Sequence, residues 1–310
     1  MTLNQPISRR GRGFTLAELL VAMGITAIIL TLLVTVTGVA LDGWRISRNK
    51  VRAARQAKSA LDQFSRDFES MVVRSGNNFE WLDVESKDND LGPANNPSPN
   101  AARLIFFTAA TDRYNGDIGG NQDLGGDVST VGYELFFKNP ITGSTTEDEE
   151  NQPVFALYRR IVNPDETFEK LLAKEDLKAE FDRLPGETDR TNNFLCENIY
   201  EMSVVFLVEY SEAVAGGRLE TKQQRVPVIS TGSGDVVKNF SLKGSGIEVD
   251  GNPADEYGRG RIVAVDISVS VITDAAMTRL RSTGIAGTAK EKLIAGNTFN
   301  YVKTILLPQP

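Results

Sequence analysis

The sequence contains no histidine. That absence removes Ser-His-Asp and Cys-His catalysis, HExxH zinc sites and any acid–base step run by an imidazole. Cys196 is the single cysteine, so no disulfide can form within the chain and no thiolate cluster can hold zinc. It lies beside the apolar run "FLCENIYEMSVVFLVEY", where buried packing is expected rather than reactivity. Proline is missing from residues 14–75, so nothing there forces a helix to break. Residues 76–310 also lack positive charge, with 23 Lys/Arg against 36 Asp/Glu, a net of −13. A surface of that sign repels phosphate backbones, and general nucleic-acid binding is not expected. No catalytic constellation emerges, and no enzyme is expected.

What is present begins with the 28 residues from Phe14 to Leu41, which carry one charge, Glu18. As a helix this stretch is about 42 Å long, more than the ~30 Å hydrocarbon core of a bilayer needs. Arg9, Arg10 and Arg12 precede it. A secretory signal peptide also has a basic front, but its apolar region is shorter and ends at a small-residue cleavage site, which is absent here. A plain signal anchor is the simplest reading, yet it leaves Glu18 unexplained. A charge at membrane depth costs a few kcal/mol or more and marks a functional position.

The segment "RGRGFTLAELLVAMGITAIIL" resembles the class III leader of type IV pilins and type II secretion pseudopilins. The resemblance implies that a prepilin peptidase cuts between Gly13 and Phe14 behind the positive leader, and that Phe14 is then N-methylated. It implies that Glu18, fifth in the mature chain, acts in assembly. The Glu18 carboxylate of one subunit can reach the Phe14 amine of a staggered neighbour, and in low dielectric such a pair sets register, because a wrong stagger leaves both charges unpaired. The implied partners are other pilin or pseudopilin subunits, the prepilin peptidase and membrane lipid. The implied location is the inner membrane, single-pass, with the head exported. The basic residues Arg45, Arg48, Lys50, Arg52, Arg55 and Lys58 oppose this, since a positive-inside count alone places the head in the cytoplasm.

Beyond Gly43, Val51, Ala54, Ala57, Leu61, Phe64, Phe68 and Met71 recur at helical spacing and predict an apolar face. That face packs a sheet or forms a coiled-coil seam, with the sheet favoured. "RAARQAKSALDQFSRDFESMV" resembles the stem of J-type minor pseudopilins. "SGNNFEW" is expected to end the helix, residues 83–100 to form a loop, and residues 165–182 a short helix. Strands are expected at 103–109, 130–138, 154–162, 199–210, 261–273 and 299–307. The expected fold class is α+β: a long N-terminal transmembrane-plus-stem helix packed on an antiparallel, β-rich, pseudopilin-like head. Its expected divisions are leader 1–13, membrane half 14–41, stem 42–75 and head 76–310.

No cofactor is expected. "DRYNGDIGGNQDLGGD" offers Asp112, Asp117, Asp123 and Asp127 to Ca²⁺, but the EF-hand spacing is absent and a solvated acidic turn is the favoured reading. "TEDEE" (146–150) reads as a solvated loop, and the glycine-rich stretches 231–235 and 243–251 read as turns without a phosphate-binding lysine. "YGRGR" (257–261) opens a strand or touches an anionic partner. The expected function is a structural minor pilin or pseudopilin subunit of a type II secretion or type IV pilus-like filament, near its tip. The alternative is an exported adhesin or DNA-uptake tip protein whose head loops bind a ligand.

Overall fold

The structure, a computed structural model, describes residues 15–87, 91–93, 96–109, 127–146, 148, 151–214, 218–230, 236–281 and 287–308. The chain divides into two compact units, residues 1–51 and 52–310. Helix α1, Leu16–Glu69, contributes to both.

In the first unit α1 is apolar on every side from Leu19 to Leu41. Leu20, Val34 and Val39 are 60%, 70% and 71% exposed, and the other large apolar side chains to Leu41 are also more than half exposed. A helix apolar all round needs an apolar surrounding. Among the described residues it holds the one stretch long and apolar enough to cross a membrane. Its threonine hydroxyls need no outside partner. Those of Thr26, Thr31, Thr35 and Thr37 donate to the carbonyls of Ala22, Ala27, Thr31 and Leu33 at 2.7–2.9 Å. Hydrocarbon offers polar groups no alternative, so this internal bonding suits burial in lipid.

In the second unit, the last turns of α1 bury Ala53, Ala57, Ala60, Leu61, Phe64 and Phe68. Val51, expected on this face, is 48% exposed. Three alanines hold the leading part of the face, where small side chains let the helix backbone approach the sheet. The seam reading of this stripe gives way to core packing, because its partners are strands of the same head.

The strands are β1 (Glu80–Lys87), β2 (Ala101–Thr108), β3 (Ser129–Lys138), β4 (Val154–Val162), β5 (Phe194–Glu197), β6 (Ile199–Val214), β7 (Arg218–Val228), β8 (Asn239–Lys243), β9 (Gly246–Val249), β10 (Asn252–Pro253), β11 (Arg261–Ile272) and β12 (Thr298–Leu306). Eight run in the order β10-β9-β8-β1-β2-β3-β4-β5, and four more in the order β12-β11-β6-β7. Neighbours within each run are antiparallel. One parallel bridge, Ala101 to Met202, joins the two runs. The long-helix-plus-antiparallel-head class expected from the sequence is the class observed.

Inward side chains of both runs close over α1 in the main core, where Phe64 lies tilted against Tyr133 at 4.1 Å and Phe68 stacks on Phe106 at 4.2 Å between ring centroids. The opposite face of β1–β4 holds a second core under the segment 164–184. Phe181 from that segment lies on Gly132, where an added Cβ would stand 2.5 Å from its ring, so only glycine fits there. A third core gathers Phe155, Tyr200 and Ile272 under the helices Asp274–Arg281 and Gly287–Asn297.

Three expectations are corrected. The loop expected at 83–100 begins as strand β1, because Asp83 and Glu85 are buried or half-buried on the second-core side, where the chain alone reads as loop. The helix expected at 165–182 is broken into the turns Pro164–Glu166 and Thr167–Leu171 and the helix Leu177–Arg183, which Asp176 caps by accepting from the Ala179 N–H at 2.7 Å. Ala173, at a φ of 67°, sits in the break. The turns expected at 243–251 flank a strand, β9.

Candidate functional site: the capped start of the membrane helix

The first four N–H groups of a helix lack intrahelical partners. At the start of α1 two residues three positions apart, Thr15 and Glu18, answer this together. Thr15, just before Leu16, accepts the Glu18 N–H on its hydroxyl oxygen at 3.3 Å. Glu18 reaches back, its Oε2 accepting the Thr15 N–H at 2.8 Å and the Thr15 hydroxyl at 3.0 Å. This is a reciprocal capping box, Thr-x-x-Glu, and its carboxylate also complements the positive end of the helix dipole.

The structure thus gives Glu18 a local role, capping its own helix, besides the assembly role that the resemblance implies. Thr15 is a functional residue absent from the expected set, although its signal, threonine three residues before glutamate, is legible in the sequence. Oε2 carries both bonds. Among the described residues Oε1 makes no hydrogen bond, so half of the carboxylate is open for a further partner. Gly13, Phe14, Arg9, Arg10 and Arg12 lie outside the described residues.

The expected Ca²⁺ candidates Asp112, Asp117 and Asp123 also lie outside the described residues, and Asp127 is exposed two residues before β3. Among the described residues no group of three or more His, Cys, Asp or Glu side chains is placed to hold a metal. Cys196 is buried and free on β5, and its burial pushes the thiol up to about 12, which makes it inert.

Two polar clusters that sequence reasoning did not single out are structural. Asp67, fully buried on α1, accepts from Arg159 through Nε at 2.7 Å and Nη2 at 3.0 Å, and from the Tyr133 hydroxyl. Tyr133 and Arg159 face each other across β3 and β4. A fork of this kind fixes the angle and depth of the helix on the sheet.

On the other face of the sheet, burial raises Glu80 to about 7 and Asp83 to about 6. Mutual repulsion with Asp83 adds to the Glu80 shift, and the Leu177 N–H, at 2.6 Å, opposes it. Asn239 at 3.0 Å opposes the Asp83 shift, while Glu85 adds to it. The folded head therefore binds protons that the unfolded chain has released. That contribution is complete below about pH 4 and is lost as pH rises through about 6 and 7. Asp62 and Glu209 are held below the usual range by Lys303 and Arg261, so their contribution is lost only in stronger acid. Stability of the folded chain to denaturant should accordingly fall from pH 5 to pH 8, with a slope of at most ~1.4 kcal/mol per pH unit per group. Glu80→Gln keeps an acceptor for the Leu177 N–H and should flatten this slope. An unchanged slope would show that Glu80 does not hold the proton.

The profile of the prokaryotic N-terminal methylation motif matches residues 8–34. No curated protein and no solved structure matches the chain. The matched stretch contains the capped helix start and the first part of the apolar run. It supports a type IV pilin-like protein, anchored in a membrane by a single span and processed by prepilin peptidase.

Proposed function

We propose that the chain is a minor pilin or pseudopilin subunit of a type II secretion or type IV pilus-like filament. Residues 1–13 are its leader, 14–41 its inner-membrane span, 42–75 its stem and 76–310 an exported head. Prepilin peptidase removes the leader after Gly13, Phe14 is N-methylated, and the subunit joins others near the filament tip. The observation that carries this reading is the coincidence of the methylation motif with a capped helix start whose stretch to Leu41 is apolar but for one carboxylate, one oxygen of which stays open. The stem sequence "RAARQAKSALDQFSRDFESMV" favours a J-type minor pseudopilin within that class.

Glu18 has two roles in this account: Oε2 caps its own helix, and Oε1 meets the Phe14 amine of a neighbour. Substitutions separate them. Glu18→Gln preserves the capping box, in which glutamine serves as well as glutamate. It removes the charge. Both Glu18→Gln and Glu18→Ala should be cut, inserted and folded, with the head's melting unchanged. Yet crosslinking to partner subunits should fall more than about tenfold in both. A charge left unpaired in low dielectric costs ~3–5 kcal/mol, and each 1.4 kcal/mol is a factor of ten. Wild-type incorporation of Glu18→Gln would leave the carboxylate as a cap alone.

A further inference from the structure

Three residues beyond the apolar run, the first unit carries a second polar end. Trp44 is 60% exposed, and the Arg48 guanidinium lies over its ring, 5.5 Å from the centroid. Arg45, with its side chain 71% exposed, is 3.8 Å from an equally open Asp42, a contact too solvated to hold it. Among the described residues Arg48 has no carboxylate partner.

The spacing fits a bilayer. Leu19 to Leu41 spans about 33 Å as a helix, close to the ~30 Å hydrocarbon core, and Glu18 to Trp44 about 39 Å, close to the ~40–45 Å that includes the headgroups. When Glu18 lies at one interface, Trp44, Arg45 and Arg48 lie at headgroup level on the other. Tryptophan favours that level because its ring is apolar and its N–H polar. Guanidinium groups match phosphate oxygens with two parallel bonds.

We propose that Trp44, Arg45 and Arg48 form a collar that binds the phosphate groups of anionic phospholipids and fixes the depth of the span in the membrane. The choice of lipid follows from charge: the three basic residues at 45, 48 and 50 outnumber Asp42. The proposal rests on residues 14–41 being a span, and the test separates the two.

The full chain is reconstituted in phosphatidylcholine vesicles containing brominated phosphatidylglycerol or, in parallel, brominated phosphatidylcholine at equal mole fraction. Quenching of tryptophan emission gives the relative affinity for the two lipids. Trp44→Phe removes the signal of interest, because Trp81 is 3% exposed in the head core. The wild-type chain should prefer phosphatidylglycerol by about five-fold per arginine, at ~1 kcal/mol per basic group near a charged surface. In Arg45→Gln/Arg48→Gln the ratio should approach one. A wild-type ratio of one in a chain that resists alkaline carbonate extraction would overturn the collar and leave the span. An unchanged ratio in the double variant, or lipid-dependent quenching that survives Trp44→Phe, would overturn the assignment to these residues, and a preference for an acidic partner protein would then replace it. A chain extracted by carbonate would remove the span, and the collar with it.

Discussion

A chain that begins at residue 76 is expected not to fold, whereas one that begins at Arg52 is expected to melt cooperatively. The second compact unit starts at Arg52, so it includes most of the stem, and the last turns of α1 are its central core element. Truncation at 76 removes Leu61, Phe64, Phe68 and Met71, all 6% exposed or less. At ~1.5–3 kcal/mol for each buried side chain, their loss amounts to about 6–12 kcal/mol, which is comparable with the whole ~5–15 kcal/mol stability of a domain. The inward faces of β2 and β3 would also be left bare, with Phe106 and Tyr133 losing their aromatic partners Phe68 and Phe64. Far-ultraviolet circular dichroism and a thermal melt of the two fragments decide the matter. A cooperative transition in the 76–310 fragment would mean that the stem is not part of the head's core.

Breaking the Asp67 fork should have the largest effect of any single substitution. In Arg159→Met the Asp67 carboxylate stays buried with its strongest donors gone, a change that typically costs ~3–5 kcal/mol. For a domain of this size that lowers the melting temperature by roughly 6–20 °C. Asp67→Leu should also destabilise, though less, because the Arg159 side chain is 10% exposed and can reach water. The double variant Asp67→Leu/Arg159→Met should recover much of the loss, since a buried ion pair can be replaced by apolar groups at little net cost. Additive losses in the double variant would show that the two residues act independently, contrary to the contacts seen.

The parts of this fold that were legible in the sequence share one property: their residues signal burial without reference to a partner. The runs "RLIFFTA", "TVGYELFFK", "VFALYRRIV", "IYEMSVVFLVEY", "RIVAVDISVSVIT" and "FNYVKTILL" lie within β2, β3, β4, β6, β11 and β12 to within a residue or two, because short runs rich in apolar, β-branched and aromatic residues suit buried or half-buried strands. Strand β7, "RLETKQQRVPV", is polar along most of its length, and only its register with β6 makes it a strand. Strand β1 hides in the same way, since Asp83 and Glu85 face a second core built 80–100 residues later. Asp67 sits among Phe64, Phe68 and Met71 on the apolar face. A carboxylate there points to a buried partner, but the partners, Tyr133 and Arg159, lie 66 and 92 residues away. At the membrane end the helix and its carboxylate were legible, and the cap could have been, because a capping box is local in sequence.

The account stands most directly on what happens at Gly13. The chain purified from its native membrane is subjected to intact-mass measurement and N-terminal sequencing. Cleavage after Gly13 leaves 310 − 13 = 297 residues beginning with N-methylated Phe14. Gly13→Val should block that cut. A native chain that retains Met1 in cells containing an active prepilin peptidase would contradict the pilin-like account.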